Sequence, residues 1–154
     1  MDPRESGVLI RPANFADAAD VARLLDQLGY PATTGEVATR FGYWLSDPMS
    51  GILVAEAASR VVAVLSMHAI PDLKRTGRWL RIESLVVDES LRGTGIGRRL
   101  VEAAEAAARD WDCLAIEITS KRSRADAHAF YLRLGYADVC GRSGRLIKSL
   151  DPVT

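Results

Sequence analysis

Hydrophobic positions along the chain follow two periods, and the switches between them mark out the elements. Residues 8–13, VLIRPA, form a short apolar run stopped at Pro12, the pattern of a first strand. From Asn14 the period lengthens: Phe15, Ala18, Val21, Leu24, Leu25 and Leu28 make one helical stripe, Asn14 can cap its start, and Gly29 ends it. Residues 33–47 repeat the helical pattern with Gly35 and Gly42 inside it. Two apolar β-rich runs, 51–57 and 60–70, flank a polar turn at Ser59 and predict a hairpin. Residues 71–77 read as a polar loop, and 78–89 as a strand rich in branched and aromatic residues. A helix to about Asp110 follows, with Ile96, Leu100, Ala104, Ala107 and Trp111 near one face. The remaining pattern gives a strand at 113–119, a short helix closed by Gly135, and a last strand over 144–150. Early antiparallel strands followed by a strand–helix–strand crossover predict an α+β (mixed α/β) fold. Its sheet is mixed and mostly antiparallel, with helices on both faces.

Composition narrows the picture. A chain of 154 residues suits one domain over 1–154, and 48% hydrophobic with 26% charged residues is ordinary for a soluble globular protein. Twenty basic residues balance 20 acidic ones, so no global field draws the chain to nucleic acid or to a membrane. Basic residues outnumber acidic ones from Lys121 onward, which favours an anion site in the C-terminal half. The two cysteines, Cys113 and Cys140, make no disulfide framework, and no Cys or His cluster has the spacing of metal ligands. The start lacks an apolar signal core, and the longest apolar run is too short to span a bilayer. A cytoplasmic location is the expectation.

One stretch departs from ordinary punctuation. Residues 88–100, DESLRGTGIGRRL, place Gly93, Gly95 and Gly97 between a strand and a helix, among Arg92, Arg98 and Arg99. Glycines allow positive φ and close approach of a ligand, and unpaired N–H groups at a helix start favour an anion. A plain glycine-rich connection is the simplest alternative. A dinucleotide loop needs G-x-G-x-x-G, and here Arg98 stands where the third glycine belongs, although Glu117 falls near the expected acidic position. A Walker loop fails, because no Gly-Lys-Ser/Thr follows.

Arg92-Gly93-Thr94-Gly95-Ile96-Gly97 fits R/Q-x-x-G-x-G/A, and the chain here resembles the GCN5-related N-acetyltransferases. The segment IESLVVDESLRGTGIGRRLVEAAEAAA resembles that family's strand, loop and helix, ADAHAFYLRLGY its second motif, and LIRPAN its first strand. The matched segments run in order from Ile10 to Tyr136, and the C-terminal half is loosely similar to the aminoalkylphosphonate acetyltransferase branch.

The resemblance implies transfer of an acetyl group from acetyl-CoA, as cosubstrate, to an amine. By it, the backbone of Arg92, Gly93, Thr94, Gly95, Ile96, Gly97 and Arg98 holds the pyrophosphate, while Leu85, Val86 and Val87 meet the pantetheine arm. Glu83, a lone carboxylate in an apolar strand, is the candidate general base: desolvation there would raise its pKa toward neutrality. The alternative for Glu83 is an ion pair with Arg81 or another strand's arginine. Tyr131 stands where the family's tyrosine gives a proton to the CoA sulfur, and packing of its ring is the alternative. His128 reads as packing or hydrogen bonding, and His68 can line the acceptor pocket or lie in solvent. Tyr30, Tyr43, Trp44 and Trp79 can wall that pocket or belong to the core. Where the family often has an asparagine after the fifth strand, this chain has Ser120-Lys121-Arg122, so Lys121, Arg122 or Arg124 can instead meet a CoA phosphate. The expected acceptor is a small primary amine. A protein N-terminus or lysine comes second, and a non-catalytic CoA-binding domain is the reading of a different class. Family relatives often pair, so a homodimer is expected by analogy alone.

Overall fold

The computed structural model describes residues 7–121 and 124–150. They fall into two compact units, one running to Thr119 and one beginning at Ser120.

The first unit holds five strands in sequential order, β1 (Val8–Pro12), β2 (Ser50–Ala57), β3 (Arg60–Pro71), β4 (Arg78–Val87) and β5 (Cys113–Ile118). The first four pair antiparallel, and β4 pairs with β5 in parallel across α3 (Ile96–Asp110), the crossover that the pattern predicts. Between β1 and β2 lie α1 (Ala18–Leu28) and α2 (Thr34–Ser46). Asn14 and Asp17 form a capping box, but over a single 3-10 turn ahead of α1, and Phe15 is exposed. Gly29 ends α1 at φ 98°, a left-handed value that glycine takes without strain. Thr33 and Glu36 make a second capping box for α2, which runs through both of its glycines.

One face of the sheet packs on α1 and α2. Ile52, Val54, Val64 and Val86 there meet Val21, Leu24, Val37 and Phe41. Their alternate neighbours on β3, Ala63, Leu65 and Met67, are buried on the opposite face, where α3 lies against β3 and β4 through its buried Ile96, Leu100 and Ala104 side.

The β3–β4 register contains a slip that positions the site. Ser66 pairs with Ser84, yet Met67 pairs with Ile82, so Glu83 is an extra residue on β4. A single bulged residue reverses which side chains face which layer. Leu80 and Ile82 are accordingly buried on the α3 face with Met67, whereas Ser84 and Val86 turn to the α1–α2 face with Ser66 and Val64. Pairing of β4 with β5 stops at the same place, at Ile82 with Ile118.

The second unit contains α4 (Ala125–Arg133), closed by Gly135 at φ 94°. The strand expected over 144–150 does not form: those residues carry no strand, and Leu146, Ile147 and Leu150 are exposed. A strand is stable only with a hydrogen-bonded neighbour, and the second unit has no other strand among its described residues.

Candidate active site

The glycine segment forms a tight turn into α3. Asp88 caps a short 3-10 turn over Glu89–Leu91, and Thr94 donates from its hydroxyl to the Leu91 carbonyl at 2.5 Å. Gly93 and Gly95 take φ values of 78° and 90°, which branched side chains avoid. A Cβ at Gly93 would meet nothing within 4 Å, so the backbone there is open to a ligand. Gly95 is the N-cap of α3 and offers no side-chain acceptor, and the first turn carries no acidic residue. The first N–H groups of α3 therefore point outward with the positive end of the helix dipole behind them.

The turn is tied down from behind. Asp88 pairs with Arg23 of α1, and the Glu89 amide donates to Gln27 at 3.0 Å. The Ser90 hydroxyl and amide, together with Arg23, hold the Asp88 carboxyl well below the ordinary carboxylate range. The arginines differ in use. Arg98 pairs with Glu102 at 3.0 Å on the helix surface, Arg99 donates to the Val8 carbonyl at 3.1 Å, and the exposed Arg92 lies 3.4 Å from the Val87 carbonyl.

Leu85, Val86 and Val87 lie on the half of β4 beyond its last β5 partner. One edge of this half is bonded to β3, and the other presents backbone groups with no strand partner among the described residues. Val86 buries its side chain in the α1–α2 core, so its contribution to a site on that edge is its backbone.

Glu83 stands on the bulge. The apolar run predicts a desolvated carboxylate, but the side chain is exposed, because the bulge turns it out of the core. The ion-pair alternative also fails for Arg81, whose partner is Glu117 on β5. Among the described residues Glu83 makes no ion pair, and its Oε2 accepts from the Ser66 hydroxyl at 2.6 Å. Ser66 is buried and lies 2.5 Å from the Ser84 hydroxyl. Since the single Ser66 proton goes to Glu83, Ser84 is the donor to Ser66, and the three groups form a directed chain ending on the carboxylate.

A second feature lies on the same face. Tyr43, Trp44 and Asp47 from α2 and its end, with Ser50 of β2 and His68 of β3, line an open cavity of about 170 Å³. His68 is half-buried and its ring lies 5.6 Å from that of Trp44. Tyr30 is exposed, and Trp79 donates from its indole N–H to Asp72 at 2.9 Å. Neither belongs to this cavity.

Tyr131 is described within the second unit. Its ring packs against Phe130 and Tyr136, with centroids at 5.2 and 6.1 Å, and burial pushes its phenol up to about 12. His128 meets the Lys121 carbonyl at 3.1 Å, consistent with a hydrogen-bonding role. Arg122 lies outside the described residues. Among the described residues no group of His, Cys, Asp or Glu is arranged to hold a metal ion, and no helix is long and apolar enough to cross a membrane.

A strand open along half of one edge, a glycine turn and a helix start without a side-chain cap come together in an α+β domain. Residues 19–136 match the Acetyltransferase (GNAT) family, and the chain belongs to it. An aminoalkylphosphonate N-acetyltransferase of Salmonella typhimurium is 36% identical over 92 residues, a match that spans 60% of this chain and 60% of that protein. Among solved structures, a putative acetyltransferase from Agrobacterium tumefaciens superposes with a TM-score of 0.82 at 28% identity, covering 92% of this chain and 99% of that one. An aminoglycoside N-acetyltransferase in complex with CoA shares the fold, with a TM-score of 0.81 at 16% identity, over 99% of this chain and 100% of that one.

Proposed function

We propose that this chain is an acetyl-CoA-dependent N-acetyltransferase acting on a small primary amine. The observation that carries the proposal is the conjunction, at one end of β4, of an open strand edge, an uncapped helix start and an exposed carboxylate. The residues fit the cosubstrate. The amides around Gly93–Gly97, with the dipole of α3, suit a pyrophosphate, and the free edge at Leu85, Val86 and Val87 suits an extended amide-bearing arm.

Glu83 takes a proton from the incoming ammonium, directly or through one water, and Ser66 keeps the carboxylate in place meanwhile. The freed amine forms a bond to the thioester carbonyl carbon as the carbon–sulfur bond breaks, and the nitrogen's second proton passes through water to replace the one that Tyr131 gives up. A strand N–H on the open edge of β4 steadies the charge on the carbonyl oxygen. Tyr131 returns a proton to the departing thiolate. The phenol is protonated at neutral pH, the state that a proton donor needs.

The test is release of free thiol from acetyl-CoA across a panel of small amines, run beside thermal shifts with acetyl-CoA and with NADH. Turnover with at least one amine, and a shift with acetyl-CoA alone, is the expected result. A shift without turnover on any amine would make the chain a CoA-binding domain, and a shift with NADH alone would overturn the ligand assignment.

A further inference from the structure

The cavity between the end of α2 and the start of β2 has its own chemistry. Among the described residues that line it, Asp47 is the carboxylate, and no Lys or Arg joins it. Its carboxylate accepts from the Met49 amide at 2.9 Å and the Ser50 hydroxyl at 2.7 Å, bonds that hold it ionised and fix its direction. Two such bonds leave carboxylate lone pairs unspent. Trp44 and Tyr43 add aromatic walls, and Tyr43 is 74% exposed although it is a large ring. An ionised carboxylate beside two aromatic rings attracts a cation and repels an anion. His68 completes the wall, and its buried Nε2 has no hydrogen-bond partner among the described residues.

Position ties the cavity to the reaction. Ser50 pairs with His68 and Ile52 with Ser66, so His68 lies two residues along the same face from the serine that holds Glu83. That step is about 7 Å along a strand. The span suits a short diamine with one nitrogen at each end.

We propose that the Trp44–Asp47–His68 cavity binds a second, non-reacting ammonium group of the acceptor, which makes a short diamine the preferred substrate over a monoamine or an amino-phosphonate. The inference rests on the acetyltransferase reading for its meaning but not for its test. Calorimetric titration with diaminobutane, butylamine and aminoethylphosphonate is compared between the wild-type protein and Asp47→Asn. The amide oxygen keeps the bond from Met49 and its NH2 can donate to the Ser50 hydroxyl in place of the bond it received, so the turn is retained. Diaminobutane is expected to bind at least about tenfold tighter than either other ligand, a gap that Asp47→Asn removes. Equal affinity for butylamine, tighter binding of the phosphonate, or a preference unchanged in Asp47→Asn would each overturn it. Thiol release is measured separately with the same three compounds. Its absence would defeat the acetyltransferase reading and leave the binding comparison intact, whereas turnover with a lower KM for butylamine than for diaminobutane would defeat the diamine proposal alone.

Discussion

Residues Arg78–Ile82 and Glu83–Val87 belong to one strand, yet their surroundings differ. The first half is bonded on both edges, to β3 and to β5, and its Leu80 and Ile82 are buried toward α3. The second half is bonded to β3 only, and its Ser84 and Val86 face the opposite layer. One extra residue, Glu83, makes the difference. The bulge ends the pairing with β5, reverses the facing of the residues after it and leaves a carboxylate exposed beside a buried serine. The paired half is thus held on both edges, and the other half has one backbone edge without a strand partner among the described residues.

The largest effect is expected from removing the bulge itself. Deleting Glu83 leaves Ile82 and Ser84 adjacent and on opposite faces, in plain register with Met67 and Ser66, so the variant should still unfold cooperatively yet lose nearly all turnover with the carboxylate gone. Glu83→Gln keeps the residue count and should melt within a few degrees of wild type. A deletion variant that fails to fold would mean that the strand depends on its register slip, and one that keeps wild-type turnover would remove Glu83 from the chemistry.

Next come the groups that the bulge presents. Glu83→Gln should lower kcat about 100-fold or more, near 2.7 kcal/mol, in steady-state assays, while acetyl-CoA affinity stays within about twofold. Ser66→Ala removes the donor that orients the carboxylate and should cost about tenfold in kcat, with Ser66→Thr restoring part of the rate. If Ser66→Ala matches wild type, the serine merely fills space.

The smallest effect concerns the strap behind the turn. Asp88 is held below the ordinary carboxylate range, so it contributes stability that is present above that range and lost as pH falls through its folded value. The melting temperature should therefore hold from neutral pH to about pH 5 and fall below about pH 4. Asp88→Asn should lower stability at pH 7 by about 1 kcal/mol and flatten that acid limb. An unchanged limb would place the acid sensitivity elsewhere, at the buried Asp17, which Arg11 holds low through two 2.8 Å bonds.

Much of the fold is legible in the chain because periodicity reports burial directly. Five strands, four helices, the Gly29 stop and the glycine turn all arise from local pattern and backbone freedom. The bulge is not legible: RIESLVV reads as part of one strand, and the slip exists only against Ser66 and Met67 on the paired strand β3. Ser66 therefore escapes notice as the partner of Glu83, since a hydroxyl in an apolar strand reads as filler. Asp47 and Ser50 escape notice for a similar reason, because a turn after α2 brings them to His68 across the sheet. The C-terminal run misleads in the other direction. Leu146, Ile147 and Leu150 make a short run that reads as a strand, but such a run supplies no hydrogen-bonded neighbour.

Amide hydrogen exchange along β4, with and without acetyl-CoA, tests the contrast between the two halves most directly. The account predicts that amides in Arg78–Ile82 are already protected in the free protein and change little. Edge amides in Glu83–Val87 and those of Gly93–Arg98 should gain protection when acetyl-CoA is added. Equal protection of both halves before addition, or no gain in Glu83–Val87 at saturating acetyl-CoA, would contradict it.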